Sequence, residues 1–436
     1  DTLSLHDALP ICHERRVQGH DDEDDARGHD PEGDVPRAPR ARHAGAGPVE
    51  ELGAPGQKER LGGGAVHSSD GDAERKRGGA VAPPGRGPRG RDDARAKPAS
   101  QPILRHPRYG LADTTRLDRP VLCAIVDTEA DFDWAGPFAR VGHDVGSVRA
   151  LHRAQAIFDR FGVRPTYLAD YPIMTDAAAG RLLREFHERG VCDLGVQMHA
   201  WTTPPFDELL CERNSYASNL PGSLQRAKLE RLVEAAQQTF GCAPKVFKAG
   251  RYGLDDTGAL LLEEMGFAVD TSVLPFTRLE AGPSFSGVPH QPFWFGRARP
   301  VLELPITRDF TGLLRPFASD RLYRAIDGRI GRLVRLPGIL SRLGLLDRLT
   351  LSPEGMSLSD LQELTRVMVG AGRKVFTLSF HSPSLAPGNT PYVRSQDDLD
   401  DFLGRLNGYL NFFTSEIGGT SLTALELHDR LRPDAG

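Results

Sequence analysis

The stretch Val121-Leu-Cys-Ala-Ile-Val-Asp-Thr-Glu129 joins six consecutive apolar residues to two acids that stand two positions apart. Six apolar residues have the length of a strand that is buried on both faces, as in a parallel sheet. The acids come where this strand would end. In parallel α/β folds the carboxyl ends of the strands lie on one side of the sheet, and functional sites form there. The stretch therefore predicts a parallel strand that carries Asp127 and Glu129 to a site.

From Pro120 onward the chain repeats this alternation of short apolar runs and amphipathic stretches. Strands are predicted over 121–126, 165–168, 193–198, 245–247, 267–269, 301–304 and 374–380. Helices are predicted over 147–161, 178–189, 224–240, 255–265, 358–369 and 397–412. About seven β-α units follow one another, which predicts an α/β fold, either open and doubly wound or closed as a barrel. The chain contains neither GxGxxG after the first strand nor GxxxxGK[ST], so dinucleotide and P-loop functions are disfavoured.

The first part of the chain has a different composition. Residues 1–100 contain no Phe, Tyr or Trp, although the whole chain has 20, 8 and 3 of them. Such a segment cannot bury enough apolar surface to offset its chain entropy, so we expect disorder over residues 1–115. Residues 1–11 resemble the translation of a sequencing adapter, and residues 12 to 100 resemble GC-rich DNA read out of frame. We therefore expect a non-native tail, followed by one domain over residues 116–436.

The balance of 54 basic against 59 acidic residues gives a net charge of −5, which does not favour nucleic acid as a partner. No stretch approaches the ~18 apolar residues that span a bilayer, and no protein partner is implied. Five cysteines show no CxxC pair, which indicates reduced, buried thiols and a cytoplasmic location.

Polar side chains follow several of the predicted strands. Besides Asp127 and Glu129, the strand ends carry His199, Trp201, Lys248, Arg251, Tyr252, Asp270 and His381. Carboxylates and imidazoles together suit a divalent metal such as zinc, which activates a bound water. A further carboxylate and a further histidine could then act as general base and general acid. Trp201 and Tyr252 offer flat faces for sugar rings. Any one of these residues alone could be an ordinary cap or turn residue, but their joint placement predicts metal-assisted hydrolysis of an amide or ester on a carbohydrate.

These residues lie in motifs that resemble the polysaccharide deacetylase superfamily, the NodB-homology group or carbohydrate esterase family four. The motifs are Val126-Asp-Thr-Glu-Ala-Asp-Phe-Asp-Trp134, Leu194-Gly-Val-Gln-Met-His-Ala-Trp-Thr-Thr-Pro-Pro-Phe206, Asn219-Leu-Pro-Gly222, Phe247-Lys-Ala-Gly-Arg-Tyr-Gly253, Val269-Asp-Thr-Ser-Val273, Ser379-Phe-His-Ser-Pro-Ser-Leu385 and Thr390-Pro-Tyr-Val-Arg394. The resemblance extends from about residue 117 to the end of the chain. Within the superfamily the chain looks most similar to a WalW-like subgroup associated with cell-surface polysaccharides.

The resemblance implies a distorted (β/α)7 barrel that removes N- or O-acetyl groups from a polysaccharide or glycan precursor with a divalent metal, zinc foremost. It implies that Asp127 is the base and His381 the catalytic acid. Glu129 and His199 match the metal ligands. Either Lys248 or Arg251 would tune the base.

Asp270 falls in a further matching motif and is included among the catalytic candidates. The substrate-binding candidates are Trp201, Tyr252 and Gln197.

The chain departs from the family pattern at the metal site. Asp-Thr-Glu replaces an adjacent pair of aspartates, and the positions of the two family histidines match Gln197 and Trp201, so that only His199 remains between them. Gln is a poor zinc ligand. This departure leaves open a catalytically inactive barrel that binds glycans. A metal-free glycoside hydrolase that uses Asp127 and Asp270 is the third possibility.

Between residues 311 and 352 the β-α alternation is interrupted by a basic, amphipathic stretch. Its arginines are Arg321, Arg324, Arg329, Arg332, Arg335, Arg342 and Arg348. We expect a helical insert that Pro337 and Gly338 divide in two. It could pack on the barrel with its arginines in water, or form a lid or a surface for anionic lipid or polysaccharide.

Overall fold

The computed structural model describes residues 110–296, 300–319, 322, 325–326 and 336–432. Its strands are β1 (Gly110–Leu111), β2 (Val121–Thr128), β3 (Thr166–Ala169), β4 (Asp193–Met198), β5 (Val246–Ala249), β6 (Val269–Asp270), β7 (Phe293–Phe295), β8 (Val301–Glu303), β9 (Arg308–Thr311), β10 (Asp347–Thr350), β11 (Val375–His381) and β12 (Thr420–Ser421). Its helices are α1 (Leu151–Arg160), α2 (Tyr171–Thr175), α3 (Ala177–Glu188), α4 (Glu212–Ser215), α5 (Gly222–Phe240), α6 (Asp256–Met265), α7 (Leu336–Arg342), α8 (Leu358–Gly370), α9 (Gln396–Ser415) and α10 (Ala424–Leu431).

Within the described residues, seven strands run parallel in the order β8-β6-β5-β4-β3-β2-β11. The short strands β7 and β1 extend the β8 edge in antiparallel pairing. The opening between β8 and β11 is bridged by Thr307 and Leu351. The Thr307 amide donates to the Thr377 carbonyl (3.2 Å), and the Ser379 amide donates to the Leu351 carbonyl (3.1 Å). The sheet is thus a distorted (β/α)7 barrel, as the family resemblance implies.

Several helix ends follow directly from the sequence. The helices α5 and α6 end at Gly241 and Gly266, whose φ angles of 76° and 80° favour glycine. The helices α8, α9 and α10 begin at the hydroxyl residues Ser357, Ser395 and Thr423, each of which forms a reciprocal capping box with an acid three residues later. These local signals explain why the predicted helix bounds agree with the structure to within four residues.

The strands separate two layers of apolar side chains. In β2, Leu122, Ala124 and Val126 belong to the large cluster that packs against the helices. Cys123 and Ile125 belong to a smaller cluster inside the barrel. Successive side chains of a strand point to opposite faces, so every second residue faces the interior. This alternation decides which side chains can reach the mouth of the barrel.

A pair of antiparallel strands that the sequence did not predict forms the base of the insert. Thr311 of β9 pairs with Asp347 of β10, and Arg308 pairs with Thr350. The helix α7 begins at Leu336, next to the expected break. Most of the arginine-rich stretch, including Arg321, Arg324, Arg329, Arg332 and Arg335, lies outside the described residues.

The described structure begins at Gly110, where β1 pairs with β7, six residues before the expected domain boundary at 116. The expected tail otherwise lies outside the described residues. Among the residues that the structure describes, every helix is too short or too polar to cross a bilayer. Cys123 and Cys192 are buried free thiols as expected, but the expectation of burial is wrong for Cys211 and Cys242, which lie on exposed loops.

One buried lysine fixes the segment that follows β4. Lys228 of α5 is fully buried, and its Nζ donates to the carbonyls of Ala200 (2.9 Å), Thr203 (2.8 Å) and Pro205 (2.6 Å). It also lies 3.1 Å from Glu208 Oε2. Removing the ammonium would leave these buried acceptors without a donor, which is costly in a low-dielectric interior.

We therefore expect Lys228→Met to lower the free energy of unfolding by about 3 kcal/mol, as removal of one partner of a buried ion pair does. Chemical denaturation measures this. The control is Lys245→Met, because Lys245 is at the surface and its Nζ donates to one carbonyl, that of Gly266. The control should change stability by less than about 0.5 kcal/mol. Equal effects of the two substitutions on stability would show that buried Lys228 does not fix the segment after β4.

Candidate active site

A pocket opens at the carboxyl ends of the parallel strands. Its lining consists of Asp127, Glu129, Phe132, Trp134, Gln197, His199, Trp201, Lys248, Arg251, Tyr252 and His381. Nine of the ten residues that the sequence singles out thus meet in one cavity, although they come from four separate stretches of the chain.

The alternation of the strands explains which residues reach the pocket. Asp127 continues the interior-facing series of Cys123 and Ile125 in β2. His381 holds the same parity in β11, and it pairs in register with Asp127. In the same way Gln197 of β4 pairs in register with Lys248 of β5. Partners in a parallel sheet point to the same face, so these side chains share one cavity.

Asp127 is the centre of the first group of contacts. Lys248 Nζ donates to Asp127 Oδ2 at 2.5 Å, and His381 Nε2 lies 3.7 Å from the same oxygen. The other carboxylate oxygen, Oδ1, is buried and has no hydrogen-bond partner. Arg251 donates instead to the hydroxyl of Ser215 and lies 3.7 Å from Glu212. Of the two cations that the sequence left open, this geometry favours Lys248 as the partner of Asp127.

His381 is held by a residue that the sequence analysis missed. Glu354 Oε2 lies 2.9 Å from His381 Nδ1, and Glu354 Oε1 accepts from the His381 amide (3.1 Å). Burial alone would lower the pKa of His381, but the carboxylates of Glu354, Glu129 and Asp127 raise it to about 9. The imidazole is therefore protonated at neutral pH, with its Nε2 on the pocket side.

A second group of contacts surrounds His199. Its Nδ1 lies 3.3 Å from Asp170 Oδ2, and its Nε2 lies 3.4 Å from Glu129 Oε2. Gln197 Nε2 is 3.2 Å from Glu129 Oε2 and 3.1 Å from His199 Nε2. Burial raises the pKa of Glu129 to about 7, although the nearby imidazoles of His381 and His199 oppose this rise. Glu129 Oε2, His199 Nε2 and Gln197 Nε2 thus lie within 3.4 Å of one another at one end of the pocket.

His199 and Glu129 offer donor atoms that suit a divalent ion, an imidazole nitrogen and a carboxylate oxygen. Asp170 accepts a hydrogen bond from Nδ1 of His199, which leaves the lone pair of Nε2 for a ligand, an arrangement typical of metal-bound histidines. Glu129 supplies a carboxylate oxygen beside it. Among the described residues no three His, Cys, Asp or Glu side chains converge in this way, so the two expected ligands need a third donor of another type.

Gly250 allows His199 to take this position. A Cβ atom at residue 250 would lie 2.2 Å from His199 Cδ2 and 2.9 Å from its Nε2. The next two residues, Arg251 and Tyr252, have φ angles of 54° and 58°. Such angles are uncommon for residues with side chains and indicate a backbone held in an unfavourable conformation at the site. Tyr252 thereby lies against Lys248, whose Nζ is 5.2 Å from the ring centre.

Aromatic rings surround both groups of polar contacts. The ring of Trp134 meets His381 edge to face at 5.2 Å, and the ring of Trp201 lies 4.5 Å from His199. The ring of Phe132 packs against both His199 and Trp201, with ring centres 5.0 Å and 5.3 Å apart. Trp201 is almost wholly buried, so it contributes a wall to the pocket more than an open platform.

Asp270 lies outside the pocket, contrary to the sequence-based expectation. In β6 its neighbour Val269 faces the barrel interior, so Asp270 faces the other side, in register with Phe247. Its carboxylate accepts from the hydroxyl of Ser272 at 2.7 Å and is buried against Glu303. The hydrolase hypothesis that pairs Asp270 with Asp127 therefore loses its second carboxylate.

Two supporting residues were not predicted, for different reasons. Asp170 directly follows β3, so the rule that selected the other strand ends also applies to it. Glu354 follows the insert and belongs to no strand, and the sequence carries no local signal for its contact with His381. Trp134 and Phe132 were part of a quoted motif but were not assigned to the site.

No family model matches the chain, and no curated protein matches it. Solved structures resemble it at low identity. One is a Mycobacterium smegmatis protein provisionally assigned as a polysaccharide deacetylase, with 14% identity, 72% of this chain and 92% of the other covered, and a TM-score of 0.42. Another is the Puue allantoinase, with 11% identity, 72% of this chain and 91% of the other covered, and a TM-score of 0.42. A third is a family 4 carbohydrate esterase of Streptomyces lividans, with 12% identity, 69% of this chain and 91% of the other covered, and a TM-score of 0.33. At such values these likenesses assign no activity to this chain.

We expect Gly250→Ala to displace His199 and to lower the free energy of unfolding by about 2 kcal/mol, the usual cost of overpacking. The control is Gly404→Ala in α9, where an added Cβ meets nothing within 4 Å. The control should leave stability unchanged or raise it by up to about 1 kcal/mol. Thermal and chemical denaturation of both variants test this, and a harmless Gly250→Ala would show that the close approach is not required.

We expect Glu354→Gln to lower the pKa of His381 by about one unit or more, because a carboxylate that favours the imidazolium is lost. A titration followed by NMR of the imidazole measures this. The folded-state pKa of about 9 lies above the ordinary 6.5, so the stability gained from His381 is present below pH 6.5 and is lost as the pH rises through 9. This loss should be smaller in the variant. Glu416→Gln, which removes a surface ion pair with Arg366, should leave the titration unchanged.

Proposed function

We propose that the chain is a carbohydrate deacetylase that hydrolyses an acetyl amide or ester of a polysaccharide or glycan precursor in this pocket. The observation that carries the proposal is the placement of Asp127 and His381 side by side at the barrel mouth, 3.7 Å apart, beside a possible ion site. The motif resemblance to polysaccharide deacetylases supports the same reaction.

Asp127 is the proposed general base. Lys248 holds one carboxylate oxygen at 2.5 Å, which orients the group. The remaining oxygen, Oδ1, is buried without a partner and can accept a proton from an attacking water. Because Lys248 donates from one side only, Asp127 keeps one free acceptor for this task.

His381 is the proposed general acid. Glu354 binds Nδ1, so the imidazolium presents its Nε2 proton toward the pocket. With a pKa near 9 it carries this proton throughout the neutral range. It can donate the proton to the leaving nitrogen or oxygen of the sugar when acetate is released.

A divalent ion would be held by Glu129 and His199. When bound, such an ion lowers the pKa of water and polarises the acetyl carbonyl. Arg251 and Tyr252 line the same pocket and would position the sugar, and Trp134 and Trp201 would contact its ring. These roles of single residues are parts of the proposal.

A second candidate function is a barrel that binds acetylated glycans without turning them over. The observation that favours it is the composition of the ion site, where among the described residues no third His, Cys, Asp or Glu side chain joins Glu129 and His199. The aromatic and cationic lining would bind a sugar in either case. Binding of a glycan without release of acetate, at full occupancy of the ion site, would support this second candidate.

We expect Asp127→Asn and His381→Asn each to lower acetate release from N-acetylated oligosaccharides by about 10²- to 10⁴-fold, the usual contribution of an acid or base. Their affinity for the oligosaccharide should change far less. The control is Asp255→Asn, because Asp255 caps α6 away from the pocket and Asn caps equally well. Acetate release that survives both substitutions would reject the assignment. No release from the unchanged chain, with an ion bound, would favour the second candidate.

A further inference from the structure

Gln197 is a buried side chain whose amide is only half satisfied. It is 2% exposed, and its Nε2 donates toward Glu129 Oε2 and His199 Nε2, while its Oε1 is buried with no hydrogen-bond partner. A buried amide oxygen without a partner is costly. Amide oxygen and nitrogen exchange places when the group turns by half a rotation, and their assignment follows the surrounding hydrogen bonds.

Turning the amide would bring Oε1 to the place that Nε2 holds. The carbonyl oxygen would then lie about as far from the other two atoms as the nitrogen does, 3.2 Å from Glu129 Oε2 and 3.1 Å from His199 Nε2. The third edge of this triangle, from Glu129 Oε2 to His199 Nε2, is 3.4 Å. Three lone pairs that face one another repel, so this arrangement requires a cation at its centre.

The triangle has the size that a divalent ion needs. Ligand atoms at bond lengths of about 2.1 Å stand roughly 3.0 Å apart in octahedral and 3.4 Å apart in tetrahedral coordination. The three observed edges fall in this range. Asp170 fixes the ring of His199 on one side and Gly250 leaves room for it on the other, so the imidazole is already oriented.

We propose that Gln197 is the third protein ligand of the site and binds a divalent cation through Oε1, beside Glu129 and His199. Two oxygens and one imidazole form a harder donor set than one oxygen and two imidazoles. Carboxylate and carbonyl oxygens suit Mg²⁺ and Mn²⁺, whereas added imidazole favours zinc. Compared with a site of one carboxylate and two imidazoles, this donor set shifts the preference from Zn²⁺ toward Mn²⁺.

This inference deepens the proposed function, since the ion serves the same pocket. It also explains how one missing histidine need not abolish the ion site. The amide adopts one orientation for each state: its NH₂ group bridges Glu129 and His199 without an ion, and its carbonyl faces the ion when one is bound. Gln197 thus acts as a ligand, and not as the substrate-binding residue expected from the sequence.

The test measures Mn²⁺ and Zn²⁺ binding to the full chain by titration calorimetry, with Mn²⁺ occupancy followed by electron paramagnetic resonance. We expect the unchanged chain to bind one Mn²⁺, and Gln197→Leu to bind it at least about tenfold more weakly. Gln197→Glu, which keeps an oxygen at the site, should retain or strengthen Mn²⁺ binding. Gln197→His should raise the affinity for Zn²⁺ relative to Mn²⁺ by about tenfold or more.

The matched control is Gln155→Leu. Gln155 is equally buried, but it bonds to Tyr167 and Asp159 away from the pocket. The Gln155→Leu substitution should leave the affinity for Mn²⁺ unchanged. The melting temperature of each variant without an ion shows whether that variant folds. If Gln197→Leu binds Mn²⁺ as well as the unchanged chain does, or if the unchanged chain binds no Mn²⁺, the inference is wrong. If Mn²⁺ binds through Gln197 but the chain releases no acetate, the proposed function is wrong and the inference about the ion site still holds.

Discussion

The alternation of side chains along four parallel strands is the constraint on which the pocket depends. Position 127 in β2, position 248 in β5 and position 381 in β11 all continue the series that faces the barrel interior. A shift of one residue in any strand would move its functional side chain into the helix layer. The apolar interior of the barrel, made by residues such as Cys123 and Ile125, is therefore what fixes the register of the polar residues at its mouth.

Placing several charges in one buried cavity requires a partner for each of them. Lys248 and Asp127 neutralise one another, and Glu354 and Asp170 each hold a histidine. These pairs do not add much to stability, because desolvation offsets most of their attraction. Their effect is on orientation and protonation. Each histidine has one ring nitrogen committed to a carboxylate, so the other nitrogen faces the pocket in a defined state.

The sequence predicted the parallel strands and most of the pocket because both follow from local patterns, whereas closure into a barrel was implied only by the family resemblance. Buried strands are continuous apolar runs, and polar residues at their ends lie together by topology. Asp270 shows the limit of this rule, since a residue at a strand end reaches the pocket only with the correct parity. The pair β9 and β10 and the contact of Glu354 with His381 depend on packing between distant segments, which no local pattern encodes.

The division of the pocket into two groups of contacts has a chemical consequence. Asp127, Lys248 and His381 form a set that can move protons, whereas Glu129, Gln197 and His199 form a set that can hold a cation. A glutamine in the ion site supplies a harder donor than an imidazole would. Under the proposed assignment, a less polarising ion would leave more of the activation of water to Asp127, whose carboxylate Lys248 holds in place. The choice of ion and the task of the base are therefore linked through the same few side chains.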